Sequence, residues 1–165
     1  MKLKKMMHIS ILSGLSLIIY VIESQIPPIV PVAGVKLGLA NAVTLYAKVT
    51  MGARSALLVL LMKIFLGNLF TGTAVSLFYS LCGGILCFMA EIIMFRLVDD
   101  IKQMWAVSIT GAIFHNIGQV IAATVLMGTD KIMWYLTVLI PVGIITGTFT
   151  GLVATYTLRA MTNKR

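Results

Sequence analysis

The chain has 165 residues, of which 59% are hydrophobic and 11% are charged, and its mean hydropathy is +1.03. A soluble fold of this size could not bury so many apolar side chains, so the composition predicts a single integral membrane domain over residues 1–165, with the lipid bilayer around it. The net charge of +8 does not indicate nucleic acid, because the basic residues lie at the ends of apolar runs and form no stripe with interleaved aromatic residues.

Six apolar stretches predict an all-α membrane protein with six transmembrane helices. The first is interpreted as a retained helix and not as a signal peptide, because its apolar part is long and no small-x-small cleavage site follows it. After it, the segment IPPIVPVAG contains three prolines and is predicted to be an extended loop. The predicted helices cover residues 7–24, 37–52, 55–71, 73–95, 105–127 and 133–158.

The basic residues predict the orientation of these helices. If the N-terminus is cytoplasmic, ten of the thirteen Lys and Arg residues fall on the inner side, Lys36 and Lys131 fall outside, and Lys63 falls within a span. Because basic residues are concentrated in cytoplasmic loops, this asymmetry predicts that both termini are cytoplasmic.

Polar side chains gather in the middle and outer half of the predicted bundle. From a rise of 1.5 Å per residue, Lys63 and His115 are expected near the midplane, about 13–16 Å from the inner flank. Asn68, Gln119 and Asn41 are expected higher, and Glu23 near the outer rim. Since a buried ammonium usually faces an interior cavity, this pattern predicts an outward-facing pocket for an anionic or strongly polar ligand.

In this pocket Lys63 would supply charge, and amides and the imidazole would supply hydrogen bonds. The alternative is that the amides and the imidazole join helices to one another, and it is favoured for Asn116 and Asn68. Glu23 could equally pair with Lys63 or Lys36. The candidate binding residues are Lys63, His115, Gln119, Asn41, Asn68, Asn116, Lys36 and Glu23.

Two further patterns concern helix contacts. Lys48 and Glu91 are expected at a similar depth near the inner surface, which predicts an ion pair that sets helix register. Gly143, Gly147 and Gly151 form a G-xxx-G-xxx-G ridge that lets another backbone approach closely. The ridge leaves open whether the partner belongs to this chain or to another protein. Ser10 and Gly14 are a weaker small-x-x-x-small pair on the first helix.

No catalytic motif, metal-ligand spacing or cofactor signature is present in the sequence, so we expect no cofactor and favour a non-enzymatic function. Asp99 and Asp100 are one isolated acidic pair, which is interpreted as a solvated loop. Cys82 and Cys87 lie inside an apolar run and are interpreted as packing residues.

The stretches VKLGLANAVTLYAKVTMGARSALLVLLMKIFLGNLFTG, GAIFHNIGQ and PVGIITGTFTGLVA resemble the Gx transporter family, also called heptaprenyl diphosphate synthase component I. More distantly, six short helices resemble the substrate-binding S components of energy-coupling factor (ECF) transporters. That resemblance implies an S-component-like bundle with an extracellular pocket under the loop after the first helix. It also implies an energizing module, made of a transmembrane scaffold and two ATPases. S components commonly dock through Ala-x-x-x-Ala on the first helix, where this chain has Ser10 and Gly14.

Two functions follow as expectations. The first is a substrate-binding subunit of an ECF-type transporter, located in a prokaryotic plasma membrane, that takes up a small anionic or amphipathic solute. The alternative is a membrane subunit associated with heptaprenyl diphosphate synthesis, through a prenyl synthase partner, or with a quinone or flavin redox assembly, without transport.

Overall fold

The computed structural model describes residues 2–26, 38–71, 74–98 and 103–162, and nearly all of them are helical. This confirms the predicted all-α class with six helices. The proline-containing segment, Lys36 and the Asp99–Asp100 pair lie outside the described residues. The helices are α1 (Lys2–Gln25), α2 (Leu39–Met51), α3 (Ala53–Thr71), α4 (Ala74–Leu97), α5 (Met104–Met127) and α6 (Leu136–Thr162), with a short 3-10 helix (Asp130–Tyr135) before α6.

The structure describes five segments that are long and apolar enough to cross a membrane: Leu3–Gln25, Ala53–Phe70, Ala74–Leu97, Met104–Met127 and Asp130–Met161. The protein is therefore a multi-pass helical membrane protein. The prediction that both termini are cytoplasmic remains a prediction.

Helix α2, the second predicted span, is much shorter than the others. Its 13 residues extend about 20 Å, less than the roughly 30 Å of a bilayer core. Gly38 precedes it with φ 76° and Gly52 ends it with φ 85°, backbone conformations that only glycine adopts without strain. Seven of its 13 residues are buried, so α2 is an internal helix of the bundle.

Two apolar clusters place α2 at the centre of the molecule. One joins Ala47 of α2 to α3 and α4, and its other buried members are Ala56, Val59, Leu60, Ile64 and Phe88. The second joins Leu45 of α2 to α5 and α6, and its other buried members are Met104, Val107, Ala154 and Leu158. Leu45 and Ala47 are two residues apart and therefore lie on opposite faces of α2. Helix α2 is thus held between α3 and α4 on one side and α5 and α6 on the other.

The glycine ridge of α6 packs on α5, so its partner belongs to the same chain and not to another protein. A Cβ on Gly147 would lie 2.6 Å from Ile109 Cα, and one on Gly151 would lie 2.6 Å from Trp105 Cα. Because later residues of α6 meet earlier residues of α5, the two helices are antiparallel. The hydroxyl groups of Ser108 and Thr150, 2.7 Å apart, join them between these contacts.

Ser10 and Gly14 do not form a contact of this kind. Both are exposed on α1, and a Cβ on Gly14 would meet no atom within 4 Å. They lie on a face of α1 whose apolar side chains are also exposed, including Ile11 and Ile18. Within the described bundle, this pair therefore contacts no other helix closely.

Candidate binding site

Lys63 of α3 is buried in the interior of the bundle, with 5% of its surface exposed. Its Nζ donates a hydrogen bond to Oδ1 of Asn41 on α2 at 2.6 Å. Among the described residues the only salt bridge joins Lys48 to Glu91, so no described carboxylate lies within 4.0 Å of the Lys63 ammonium. A buried ammonium has three protons to donate, and here one neutral amide oxygen receives one of them.

Glu23, also buried, binds the beginning of α2. Its two carboxylate oxygens accept hydrogen bonds from the backbone amides of Leu39 at 3.0 Å and Ala40 at 3.3 Å. A carboxylate is favourable here because the first amides of a helix have no partner within the helix and carry partial positive charge. Glu23 therefore anchors α2 to α1 and holds Asn41, one residue further on, in place. The described residues show no ion pair between Glu23 and Lys63. The alternative pairing with Lys36 lies outside the described residues and stays a prediction.

His115 and Gln119 of α5 face the same glycine of α4, as their four-residue spacing predicts. A Cβ on Gly83 would lie 2.9 Å from Gln119 Cγ and 3.1 Å from His115 Cε1. The close approach of α4 and α5 at this level is possible because Gly83 and Gly118 meet there without side chains. The two predicted site residues therefore lie on one face, at the α4–α5 contact.

Asn116 joins two helices, as the sequence favoured. Its Nδ2 donates to the backbone carbonyl of Leu139 on α6 at 2.7 Å. Gly143 makes room for this amide, since a Cβ there would lie 2.9 Å from Asn116 Nδ2. The helix-joining interpretation of Asn116 is confirmed.

Asn68 lies apart from the other candidates. Its Nδ2 donates to the carbonyl of Ile64 in its own helix at 3.2 Å. Among the described residues, Asn68 therefore makes no hydrogen bond to another helix, although the sequence favoured one. Its Oδ1 is buried without a hydrogen-bond partner among the described residues.

A second buried cation, Lys48, lies on α2 about two turns after Asn41. Lys48 forms the predicted ion pair with Glu91 of α4 and donates to the carbonyl of Phe88 at 3.4 Å. Its ammonium lies 4.2 Å from the centre of the Phe88 ring, where the ring's negative face is attractive. Cys87, a free thiol, donates to the other Glu91 oxygen at 3.6 Å. The prediction of a Lys48–Glu91 pair is confirmed.

A small polar cavity lies between the Lys63–Asn41 contact and the Lys48–Glu91 pair. Its volume is ≈ 20 Å³, enough for about one water molecule. It brings together Asn41, His115 and Asn116 of the predicted site, whereas Lys63 reaches its edge through Asn41 and neither Gln119 nor Asn68 lines it. The other lining residues are Gly38, Cys87, Glu91, Ser108, Ala112, Thr146 and Thr150.

Sequence reasoning missed the hydroxyl side of this cavity. Thr146 and Thr150 are four residues apart and each precedes a glycine of the α6 ridge, so the ridge that packs on α5 also carries two hydroxyl groups to the interior. That spacing was visible in the sequence, but only the packing of α6 on α5 shows which way the hydroxyl groups face. Within the described ranges, no group of three His, Cys, Asp or Glu side chains is placed to hold a metal ion.

These features define a class: a multi-pass helical membrane protein with a charged and amide-rich centre around a short internal helix. The family model for heptaprenyl diphosphate synthase component I matches residues 12–157, nearly the whole chain. The protein belongs to this family. Searches of the curated proteins and of the solved structures find no significant match.

Proposed function

We propose that the protein is the substrate-binding membrane subunit of an ECF-type transporter and takes up a small anionic or amphipathic solute. The observation that carries this proposal is the buried Lys63 ammonium, which has a neutral amide as its hydrogen-bond partner and no described carboxylate within 4.0 Å. A charged group in this position is expensive in a bilayer unless it has a function, and an anionic ligand would supply the missing acceptors.

The site would have to open for a solute to enter, because the cavity beside it holds about one water molecule. Helix α2 is the element suited to move, since it is short and glycine bounds it at both ends. The polar contacts that hold α2 include Glu23 at its first amides, Asn41 to Lys63, and Lys48 to Glu91. A solute that takes over the Lys63 ammonium from Asn41 would release the middle contact and leave the others in place.

The remaining parts of this proposal concern orientation and partners. The excess of basic residues at one side of the predicted topology supports placing both termini in the cytoplasm. We place the protein in a prokaryotic plasma membrane as part of the same proposal. Energy for release would come from a cytoplasm-facing module of a transmembrane scaffold and ATPases, for which the exposed Ser10–Gly14 face of α1 is the candidate contact.

The second candidate function is a membrane subunit that associates with a prenyl diphosphate synthase or a redox assembly and does not transport. The family description, heptaprenyl diphosphate synthase component I, favours this alternative. It requires no solute at Lys63, and it places the functional contacts on cytoplasmic loops.

Mass spectrometry of the small molecules retained on gently purified protein tests the binding site. We expect an anionic compound on the wild type and its loss from Lys63→Ala and Lys63→Met, both folded by circular dichroism. Lys131→Met removes an exposed cation from the 3-10 helix and is the matched control. Equal retention by wild type and both Lys63 variants would refute the binding site.

Proteins that copurify from native membranes separate the two functions. The transport proposal predicts ATPase subunits and a membrane scaffold, and substitution of Gly14 by Leu should reduce their recovery. A prenyl synthase recovered without any ATPase would support the alternative.

A further inference from the structure

The formal charges of the side chains that the structure describes in the interior sum to zero. Among the described residues, four formally charged side chains are buried: Lys48, Lys63, Glu23 and Glu91. Two are cationic and two are anionic, so the described part of the bundle carries no net buried formal charge while His115 is neutral. Uncompensated charge is costly in a medium of low dielectric constant. A solute bearing one negative charge would therefore leave the interior with one charge too many unless a cation entered with it.

His115 is the group placed to supply that cation. It lines the cavity together with Asn41, whose side chain binds Lys63. The pKa of a free imidazole lies near 6.5, so its charge changes close to neutral pH. The other titratable groups that line the cavity are the Glu91 carboxyl group, which is already paired with Lys48, and the Cys87 thiol.

The surroundings of His115 include charge of both signs. Helix α4 presents Glu91 and Cys87, and α2 and α3 contribute Lys48 and Lys63 at the two ends of the cavity. Helix α6 presents hydroxyl groups that do not titrate near neutral pH. The 3-10 helix next to α5 carries Asp130, Lys131 and Tyr135, which are exposed.

We propose that His115 takes up one proton when a negative charge enters beside Lys63 and Asn41, so that solute binding is coupled to protons. The proton passes from water to the unprotonated ring nitrogen and gives an imidazolium, and no bond of the solute changes. The coupling rests on the proposed function, since it assumes an anionic solute. The response of His115 to buried charge does not depend on the proposed function, because it can be measured without any solute.

Asn41→Asp provides the negative charge within the chain itself. The variant keeps the shape of the side chain and puts a carboxylate where the amide oxygen now accepts from Lys63. Asn68→Asp is the matched control, because it makes the same substitution on α3 outside the cavity lining. Lys63→Met changes the buried charge in the same direction by removing a cation, and Lys131→Met is its exposed control.

The measurement is nuclear magnetic resonance of protein labelled with ¹⁵N-histidine in lipid nanodiscs. The chain has two histidines, and His8 is exposed near the beginning of α1 with its Nδ1 2.7 Å from the Lys4 carbonyl oxygen. In a His8→Asn background the remaining signal belongs to His115, so its protonated and neutral forms can be counted across a pH series.

We expect the ratio of protonated to neutral His115 to rise about threefold or more in Asn41→Asp and in Lys63→Met, since a unit charge acts strongly across a low-dielectric interior. Asn68→Asp and Lys131→Met should change it much less. An unchanged ratio in both cavity variants, or equal changes in the controls, would overturn the proposal. Because no solute is present, this result is independent of whether Lys63 binds one. Failure of solute retention would instead count against the proposed function.

Discussion

Substitution of Gly147 by alanine tests one of the closest helix contacts among the described residues. The new Cβ would lie 2.6 Å from Ile109 Cα and 3.0 Å from Ile109 N, whereas carbon atoms in contact are normally about 3.5–4.0 Å apart. Both obstructing atoms belong to the backbone, so no side chain can turn away and α6 must move from α5 by about 1 Å. The hydrogen bond between Ser108 and Thr150 would lengthen with it.

The expected cost is about 2 kcal/mol, within the range of 1–3 kcal/mol for an overpacked interior. This corresponds to about a thirtyfold change in the unfolding equilibrium constant. Reversible unfolding of the purified protein by sodium dodecyl sulfate in mixed micelles, followed by circular dichroism, measures it.

Gly14→Ala is the matched control for this experiment. It makes the same substitution on α1, where a Cβ would meet no atom within 4 Å. Because alanine favours a helix over glycine by up to about 1 kcal/mol, this variant should be as stable as the wild type or slightly more so. If both variants unfold at the same detergent fraction, the inferred packing of α6 on α5 is wrong.

Three further predictions concern the polar contacts. Glu23→Ala should speed hydrogen exchange of the first amides of α2, measured by mass spectrometry, because they lose their acceptor; unchanged exchange would contradict the capping role. Lys48→Met and Glu91→Leu should each destabilise the protein by about 3–5 kcal/mol, because each leaves a buried charge without its partner. The double variant should recover most of that loss, since an apolar pair costs less than an unpaired buried charge. Additive losses in detergent unfolding would refute this. Asn116→Ala should cost about 1 kcal/mol in the same assay through loss of the Leu139 contact, and an unaltered midpoint would show that the bond contributes nothing.

The relative levels of several polar side chains along the bundle could be predicted from the sequence. A helix rises 1.5 Å per residue from a flank that charge identifies, and this was enough to pair Lys48 with Glu91 from the sequence alone. The same reasoning placed Lys63 and His115 at neighbouring levels, and the structure links both to Asn41, one by a hydrogen bond and the other through the cavity.

Rotation about each helix axis could not be predicted in this way. Asn116 and Asn68 carry the same side chain and were both expected to join helices, yet one binds α6 and the other binds its own helix. The difference depends on which neighbour each side chain faces, and hydropathy in a chain that is apolar on nearly all sides carries little information about direction.

The sequence by itself determined the membrane class, the number of helices and the relative levels of the buried charged side chains. Apolar length sets the helices and the cost of charge in lipid restricts the charged side chains, and both act on each segment separately. Only the tertiary structure decided that the glycine ridge of α6 serves α5, that Glu23 caps α2, and that the central cavity admits about one water molecule. These depend on how helices pack around the short α2, and packing is a property of several segments together.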